Sequence, residues 1–349
     1  MTLEIRDLAF GYGDDRVLDG ADLTVADGEL VGLLGPNGSG KSTLLECCNR
    51  ILEPETGSVS VDGDRVADLG RNETARRIGY VPQSERSAFP ATVFGTILMG
   101  RRPHSGWTPS EADRLAVARV IDALDLSAFA TRSVDELSGG QRRKVRLGRA
   151  LVQESSVLLL DEPTAGLDLK HQLSVLDHLR EHVDATGVAG LVAMHDLNLA
   201  ARYCDRVALL SDGRLNVVGD PDDLRGETIE SVYGVEVSIA SAAGRRLVIP
   251  ERPVAASEVP GENSTAEALP ADGTGDTRIE SVDDPPTASR DRDAGPDTET
   301  SDEREERPSA EEGSRVADGG TASGNGPATD GSTAADEGPS WWRRLLDRD

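Results

Sequence analysis

The 349-residue sequence predicts an α/β domain with a mainly parallel sheet core, an antiparallel β unit at its N-terminus, an inserted helical subdomain and a disordered acidic tail. Three observations predict it. From Val157 to Leu210, short wholly apolar runs alternate with helical periodicity, the pattern of strands covered on both faces by crossover helices. Another apolar run, Leu30 to Leu34, leads directly into a glycine-rich loop and a helix. Beyond about Pro250 the composition changes to Ala, Gly, Pro, Ser, Thr, Asp and Glu, which cannot bury enough surface to offset the entropy of ordering. The expected boundaries are a folded domain over 1–240, with its helical subdomain at about 84–150, a tail over 241–340 and a short terminal segment over 341–349.

In chain order, Leu3 to Phe10 and Val17 to Val25 nearly alternate around a Gly11 to Asp15 turn, which reads as an antiparallel hairpin with Tyr12 in the turn. The loop after Leu34 opens a helix from Ser42 to Arg50. Gly57 to Gly63 is a strand ending in an Asp-Gly turn, and Ile78 to Val81 is a short strand stopped by Pro82. Between Ala91 and Leu137 the apolar period becomes helical, with Thr108-Pro-Ser-Glu111 as a helix start. Ser138 caps the next helix, whose Val145, Leu147 and Leu151 face one way while Arg142, Arg143, Lys144 and Arg146 face largely outward. Val157 to Leu160 is a buried strand ending in Asp161 and Glu162. Leu173 to Val183 reads as a helix, and Val188 to Met194 and Val207 to Leu210 read as two further strands.

The stretch of Gly35, Pro36, Asn37, Gly38, Ser39, Gly40, Lys41, Ser42 and Thr43 satisfies the phosphate-binding pattern G-x-x-x-x-G-K-[ST]. Its glycines let backbone N–H groups face a β-phosphate, Lys41 reaches the β and γ oxygens, and Ser42 offers a hydroxyl to Mg²⁺. The following helix aims its positive end at the anion. The strand ends at Asp161–Glu162 and at His195 fall on the same edge of such a sheet, where ligands of parallel α/β folds bind. Two charges ending a buried strand need a cation or a polar partner.

Leu137-Ser-Gly-Gly-Gln141, then Asp161-Glu-Pro-Thr164, then Ala165-Gly-Leu-Asp168, then His195 follow the phosphate loop in one order. In this the sequence, over about residues 1–240, resembles the ATP-binding cassette (ABC) ATPases. The resemblance implies ATP and Mg²⁺ as ligands. Asp161 holds Mg²⁺ through its water shell, Glu162 polarises the attacking water, and His195 donates to the γ-phosphate. Gln83 contacts the metal and the water, and Tyr12 stacks on adenine. Ser138, Gly139, Gly140 and Gln141 open a helix and form a second anion site, which one chain cannot fill from its own loop. The resemblance therefore implies a homodimer or a paired cassette that sandwiches two ATPs head to tail, with Asp168 at the interface. Phe89-Pro-Ala-Thr-Val93, Met99-Gly-Arg-Arg-Pro-His104 and His195-Asp-Leu-Asn-Leu-Ala-Ala-Arg-Tyr-Cys-Asp205 look like the ATPases of ferric siderophore, haem and cobalamin importers. Their membrane permease is a separate polypeptide, served by an extracellular substrate-binding protein, and such a chain works at the cytoplasmic face of the membrane. Arg143-Lys144 and Gly148 depart from the usual family residues, Gly148 at a helix cost of up to about 1 kcal/mol.

Charge narrows the alternatives. The formal net charge is −26, of which roughly −15 follows Pro250, so the folded part is acidic as well. That excess argues against nucleic acid as a partner. Only Lys41, Lys144 and Lys170 are lysines among 37 basic residues, a composition suited to a salt-rich cytoplasm, with an acidic interaction tail as the alternative. Cys47, Cys48 and Cys204 lack metal-ligand spacing and read as small core residues of a reduced protein. The first residues carry charges where a signal peptide needs an apolar core, and no run of 18 apolar residues occurs. A soluble cassette ATPase of DNA repair, translation or iron–sulfur assembly, an ATP-holding regulatory module and a zinc or manganese importer are the rival readings. The long coiled-coil insertion of repair cassettes and the doubled cassette of translation factors are absent, and Glu162 and His195 are retained. Trp341 to Leu346, the one apolar cluster after Pro250, is a conceivable docking element for a partner or a membrane surface.

Overall fold

The computed structural model describes residues 2–84, 90–105, 108–242 and 245–254. Phe89 of the importer-like stretch, the tail from residue 255 and Trp341 to Leu346 lie outside these residues.

Strands β1 (Leu3–Tyr12) and β2 (Asp15–Val25) form the expected hairpin, but the strands are longer and the turn shorter. Tyr12 pairs with Asp15 at the end of the ladder, so it closes a strand instead of sitting in the turn. With β4 (Thr56–Val61) and β5 (Asp64–Arg65) the hairpin makes a four-stranded antiparallel sheet in the order β2-β1-β4-β5. The second sheet has six strands. Its parallel members are β3 (Leu30–Leu34), β6 (Ile78–Val81), β7 (Val157–Asp161), β8 (Ala189–Ala193) and β9 (Arg206–Ser211). An antiparallel edge strand, β10 (Arg214–Gly219), completes the order β10-β9-β3-β8-β7-β6. β10 escaped the sequence reading because its Arg and Asn interrupt the apolar run.

Period-two alternation sends each central strand's side chains into two cores. Leu158 and Leu160 of β7 join one cluster, with Val145 and Leu147 of α5 (Gly139–Leu151) and Leu176 and Leu179 of α6 (Leu169–Thr186). Val157 and Leu159 join the other, with Leu44 and Leu45 of α1 (Lys41–Cys48) and Leu3, Ile5 and Leu8 of β1. Cys47, Cys48 and Cys204 are buried free thiols in these cores. Burial pushes the Cys47 and Cys204 thiols up to about 12, which keeps them unreactive near neutrality.

The helical insertion contains α3 (Val93–Leu98) and α4 (Glu111–Ala123), which pack with α5. Ser110 caps α4 in a reciprocal capping box with Asp113. Asp113 also accepts from Arg101 Nε at 2.8 Å and Ser105 Oγ at 2.8 Å, so one nearly buried carboxylate ties the 101–105 loop to the helix start. Gly148 is explained here. A Cβ on it would lie 2.9 Å from Leu124 Cδ1 and 3.1 Å from both Ile97 and Val120. Close packing of α5 on α3 and α4 therefore favours the glycine that its helix propensity disfavours. Lys144 differs from expectation too: its side chain is 12% exposed and Nζ donates to the Leu124 carbonyl at 3.0 Å, tying α5 to the end of α4.

Helices α2 (Arg71–Arg77), α7 (Leu197–Tyr203) and α8 (Gly226–Tyr233) complete the described helices of four residues or more. After α8, β11 (Val235–Ala242) and β12 (Arg245–Pro253) pair antiparallel. The expected tail boundary at 241 falls inside this hairpin. Val237 and Val248 pack on the main core, and the Asn198 side chain both donates to Val248 O (3.1 Å) and accepts from Val248 N (2.8 Å). The Ser, Ala and Arg residues between these few apolar positions hide the strands in composition.

Candidate functional site

The phosphate loop sits between β3 and α1, as its sequence requires. Gly35 takes φ 153°, and a Cβ there would collide with the Leu210 carbonyl of β9, so only glycine fits the turn. Lys41, 5% exposed, donates from Nζ to the carbonyls of Gly35 (2.8 Å) and Pro36 (2.9 Å). The loop's own carbonyls thus hold the ammonium where a phosphate would take it over. Burial pulls the Lys41 ammonium below its ordinary value, while the charges of Glu162 and Asp161 act the other way.

Those two carboxylates end β7. Asp161 is 3% exposed, and its Oδ1 has no hydrogen-bond partner. Burial pushes its carboxyl up, the Ser42 hydroxyl bonded to it works against that shift, and the Glu162 charge adds to it. The Gln83 N–H also donates to Asp161. A buried carboxylate oxygen without a partner, beside a hydroxyl and a phosphate-binding loop, is the oxygen-only donor set of a hard divalent cation. Among the described residues there is no cluster of three or more His, Cys, Asp or Glu side chains that could hold a metal.

Glu162 follows with φ 47°, a left-handed conformation that a non-glycine residue adopts at a cost of about 1 kcal/mol or more. Its N–H donates to Ala193 O of β8 at 3.0 Å, which anchors the turned backbone. The side chain is held on both sides. Gln83 Nε2 donates to Oε2 at 2.7 Å, and His195 Nε2 contacts Oε1. Parallel pairing of Asp161 with Ala193 explains the second contact, since it brings the residues beyond both strand ends together. Gln83 and His195 thus converge on the carboxylate, and the Gln83 side chain is turned to Glu162 and not to Asp161.

The remaining expected residues lie in other settings. Tyr12 is 54% exposed and stands edge-on to Phe10, with ring centroids 4.9 Å apart, leaving its outer face open for stacking. Ser138 is the N-cap of α5: its Oγ accepts from Gln141 N at 3.3 Å and Gln141 Oε1 accepts from Ser138 N at 3.0 Å. That box occupies the Gln141 N–H and leaves those of Gly139 and Gly140 at the positive end of the helix. Asp168 caps α6, accepting from His171 N at 2.9 Å, with its side chain 68% exposed.

Arg143 of α5, expected to face largely outward, is partly buried: burial and the neighbouring Arg146 lower its basicity, and the Glu162 charge acts in the opposite sense. Two residues near these motifs are not marked by the sequence motifs. Tyr233 of α8 brings its buried hydroxyl beside the Gly35 N–H; burial pushes the phenol up to about 12, against a smaller effect of that N–H. His171 contacts Asp168, and its place three residues after a capping aspartate is the signal that could have found it.

The ABC transporter family model matches residues 18–165. The chain is 41% identical to the cobalamin import ATP-binding protein of Halobacterium salinarum, over 74% of this chain and 66% of that protein. It is equally 41% identical to the hemin import ATP-binding protein of Myxococcus xanthus, over 72% of this chain and 97% of the relative. Among solved structures, a metal-chelate type ABC transporter in an inward-facing conformation aligns with a TM-score of 0.63 and 27% identity, covering 73% of this chain and 98% of that one. Likeness at 41% identity through nearly the whole of a relative places the chain in the ABC transporter family as an ATP-binding ATPase subunit.

Proposed function

We propose that this ATPase energises import of a metal chelate, namely an iron siderophore, cobalamin or haem, through a separate membrane permease. Two cassettes work as a head-to-tail pair. The observation that carries the coupling to hydrolysis is the Glu162 carboxylate, held between Gln83 and His195 next to Lys41 and Asp161. The cargo class rests on the relatives, which are named for cobalamin and hemin import, and on the metal-chelate transporter that shares the fold.

In this reading Lys41 releases the Gly35 and Pro36 carbonyls and binds the β and γ oxygens, so the loop exchanges an internal contact for the substrate. Ser42 and the unpartnered Asp161 oxygen would hold Mg²⁺, which when bound neutralises phosphate charge. Glu162 accepts the proton of the attacking water as its oxygen bonds to the γ-phosphorus and the bond to the ADP oxygen breaks. His195 orients Glu162 and donates toward the γ-phosphate, and Tyr12 supplies its open face to adenine. The N–H groups of Gly139 and Gly140 with Ser138 receive the γ-phosphate bound by the other cassette, and Asp168 meets that cassette beside them.

A cleft of about 1110 Å³ opens beside β6 and the helical insertion, with Ile51, Tyr80, Pro82, Met99 and Arg102 among its walls. Ile51 and Met99, both exposed, give this cleft two apolar side chains for a partner to cover. We assign this cleft to the permease, because Pro82 in its wall precedes Gln83, so occupancy and the Glu162 contact are linked by one peptide bond. No described helix is long and apolar enough to cross a membrane.

The test is reconstitution of the full chain with the permease and binding protein in vesicles. Mg²⁺-dependent ATP hydrolysis stimulated by loaded binding protein, with uptake of labelled cobalamin, ferric siderophore or haem, is the expected result. Hydrolysis indifferent to the permease, or uptake of zinc or manganese alone, would overturn it.

A further inference from the structure

His171 stands outside every motif named above, yet its ring joins two of them. Nδ1 lies 2.7 Å from Asp168 Oδ1, the same oxygen that caps α6 through the His171 N–H. The other edge of the ring lies on the second glycine of the capping signature. A Cβ on Gly140 would come 2.6 Å from Cδ2 and 2.9 Å from Cγ of His171. No side chain other than hydrogen fits there while the ring stays in place. Asp168 is well exposed at 68% and the ring partly so at 38%, so both belong to the surface that carries the signature.

The contact acts on a specific group. Ser138 and Gln141 fix the first turn of α5 from one side through their capping box, while the ring backs Gly140, whose N–H the box leaves unused. Fixed dipoles stabilise an anion only when they do not reorganise, and displacement of such a group by about 1 Å costs on the order of 100-fold in rate. We infer that His171 is a positioning residue: held by Asp168 and pressed on Gly140, it makes the Asp168 turn and the signature helix start one rigid surface toward a second cassette. This rests on the head-to-tail reading above. His171 acts on the ATP bound by the partner cassette, not on the ATP in its own phosphate loop.

The experiment uses full-length chains carrying one change each, mixed in pairs. His171→Ala alone lowers kcat by about 10- to 100-fold while nucleotide affinity of the single chain stays within about twofold of wild type. His171→Phe keeps the ring on Gly140 but loses the Asp168 bond, and His171→Asn keeps a donor for Asp168 but loses the ring. Both are expected to be slow, and both provide a folded protein if the alanine variant fails to fold. The control pair is Ser138→Trp with Lys41→Ala, which leaves one composite site with both halves intact. A His171 variant paired with Lys41→Ala then matches the control, because its surviving site uses the other chain's signature. Paired with Ser138→Trp the same variant stays at least about 10-fold slower, because its surviving site uses its own. An active control with equal rates in the two pairings overturns the inference and leaves the head-to-tail reading standing. An inactive control overturns that reading and the inference with it.

Discussion

Gln83 Nε2 lies 2.7 Å from Glu162 Oε2, a contact that spans 79 residues of chain and joins the end of β6 to the end of β7. With His195 on the other oxygen, the carboxylate is held on both sides by protein groups. Glu162→Gln keeps shape: the amide oxygen can accept from Gln83 while its nitrogen donates to His195. It cannot take up a proton. Phosphate release is expected to fall at least about 100-fold, with ATP affinity unchanged and a closed dimer retained by ATP and Mg²⁺ on size exclusion. Near wild-type turnover would remove Glu162 from the role of base.

Asp113 offers a pH-dependent test of the helical insertion. Burial acts to raise its carboxyl, but the donors Arg101, Ser110 and Ser105 outweigh burial and hold it well below the usual carboxylate range. A depressed folded value gives stability that is present above the unfolded pKa of about 3.9 and is lost as pH falls through the folded value. Asp113→Asn is expected to cost about 2–4 kcal/mol at pH 7, since Arg101 then keeps a partly buried charge with a weaker partner. Urea midpoints of variant and wild type should draw together below about pH 4. A gap that stays constant with pH would count against the ion pair as its source.

Gly148→Ala sets two effects against each other. Helix propensity alone favours alanine by about 1 kcal/mol. The 2.9 Å approach to Leu124, with Ile97 and Val120 only slightly farther, favours glycine, and overpacking costs about 1–3 kcal/mol. Packing is expected to win or at least cancel the gain, so the melting temperature should not rise. A clear rise would show that α3 and α4 can move apart at little cost.

Truncations separate tail from hairpin. A chain ending at Val254 is expected to keep the wild-type melting temperature and ATPase rate, because every residue placed in the site precedes it. A chain ending at Gly234 loses β11 and β12, and with them Val237 and Val248 on the core and both hydrogen bonds of Asn198. Its melting temperature is expected to fall by several degrees. Equal melting of all three chains would show that the hairpin contributes nothing to the fold.

Much of the site was legible in one dimension because its chemistry is local. A phosphate loop needs its glycines, lysine and serine within nine residues, and a helix cap needs Ser138 and Gln141 three apart. Apolar runs such as Val157 to Leu160 announce strands buried on both faces, and the acidic pair at their end announces the sheet edge where ligands bind. Elements with mixed composition were not legible. β10 pairs with the strand just before it, Leu215 against Leu210, and β11 with β12, Ile239 against Val248; mixed composition hides the periodicity of each.

Only the tertiary structure decided which groups touch. Parallel pairing of β7 with β8 brings Glu162 to His195, and β6 beside β7 brings Gln83 to the same carboxylate. Packing set close side chains of Leu124, Ile97 and Val120 against the helix cost of Gly148, and turned Lys144 inward to the Leu124 carbonyl. Nothing in the spacing of Gly140 and His171 shows that an imidazole rests on that glycine. A motif records what a backbone segment needs from its own neighbours, whereas contacts between segments depend on strand register and helix approach, which the whole core sets at once.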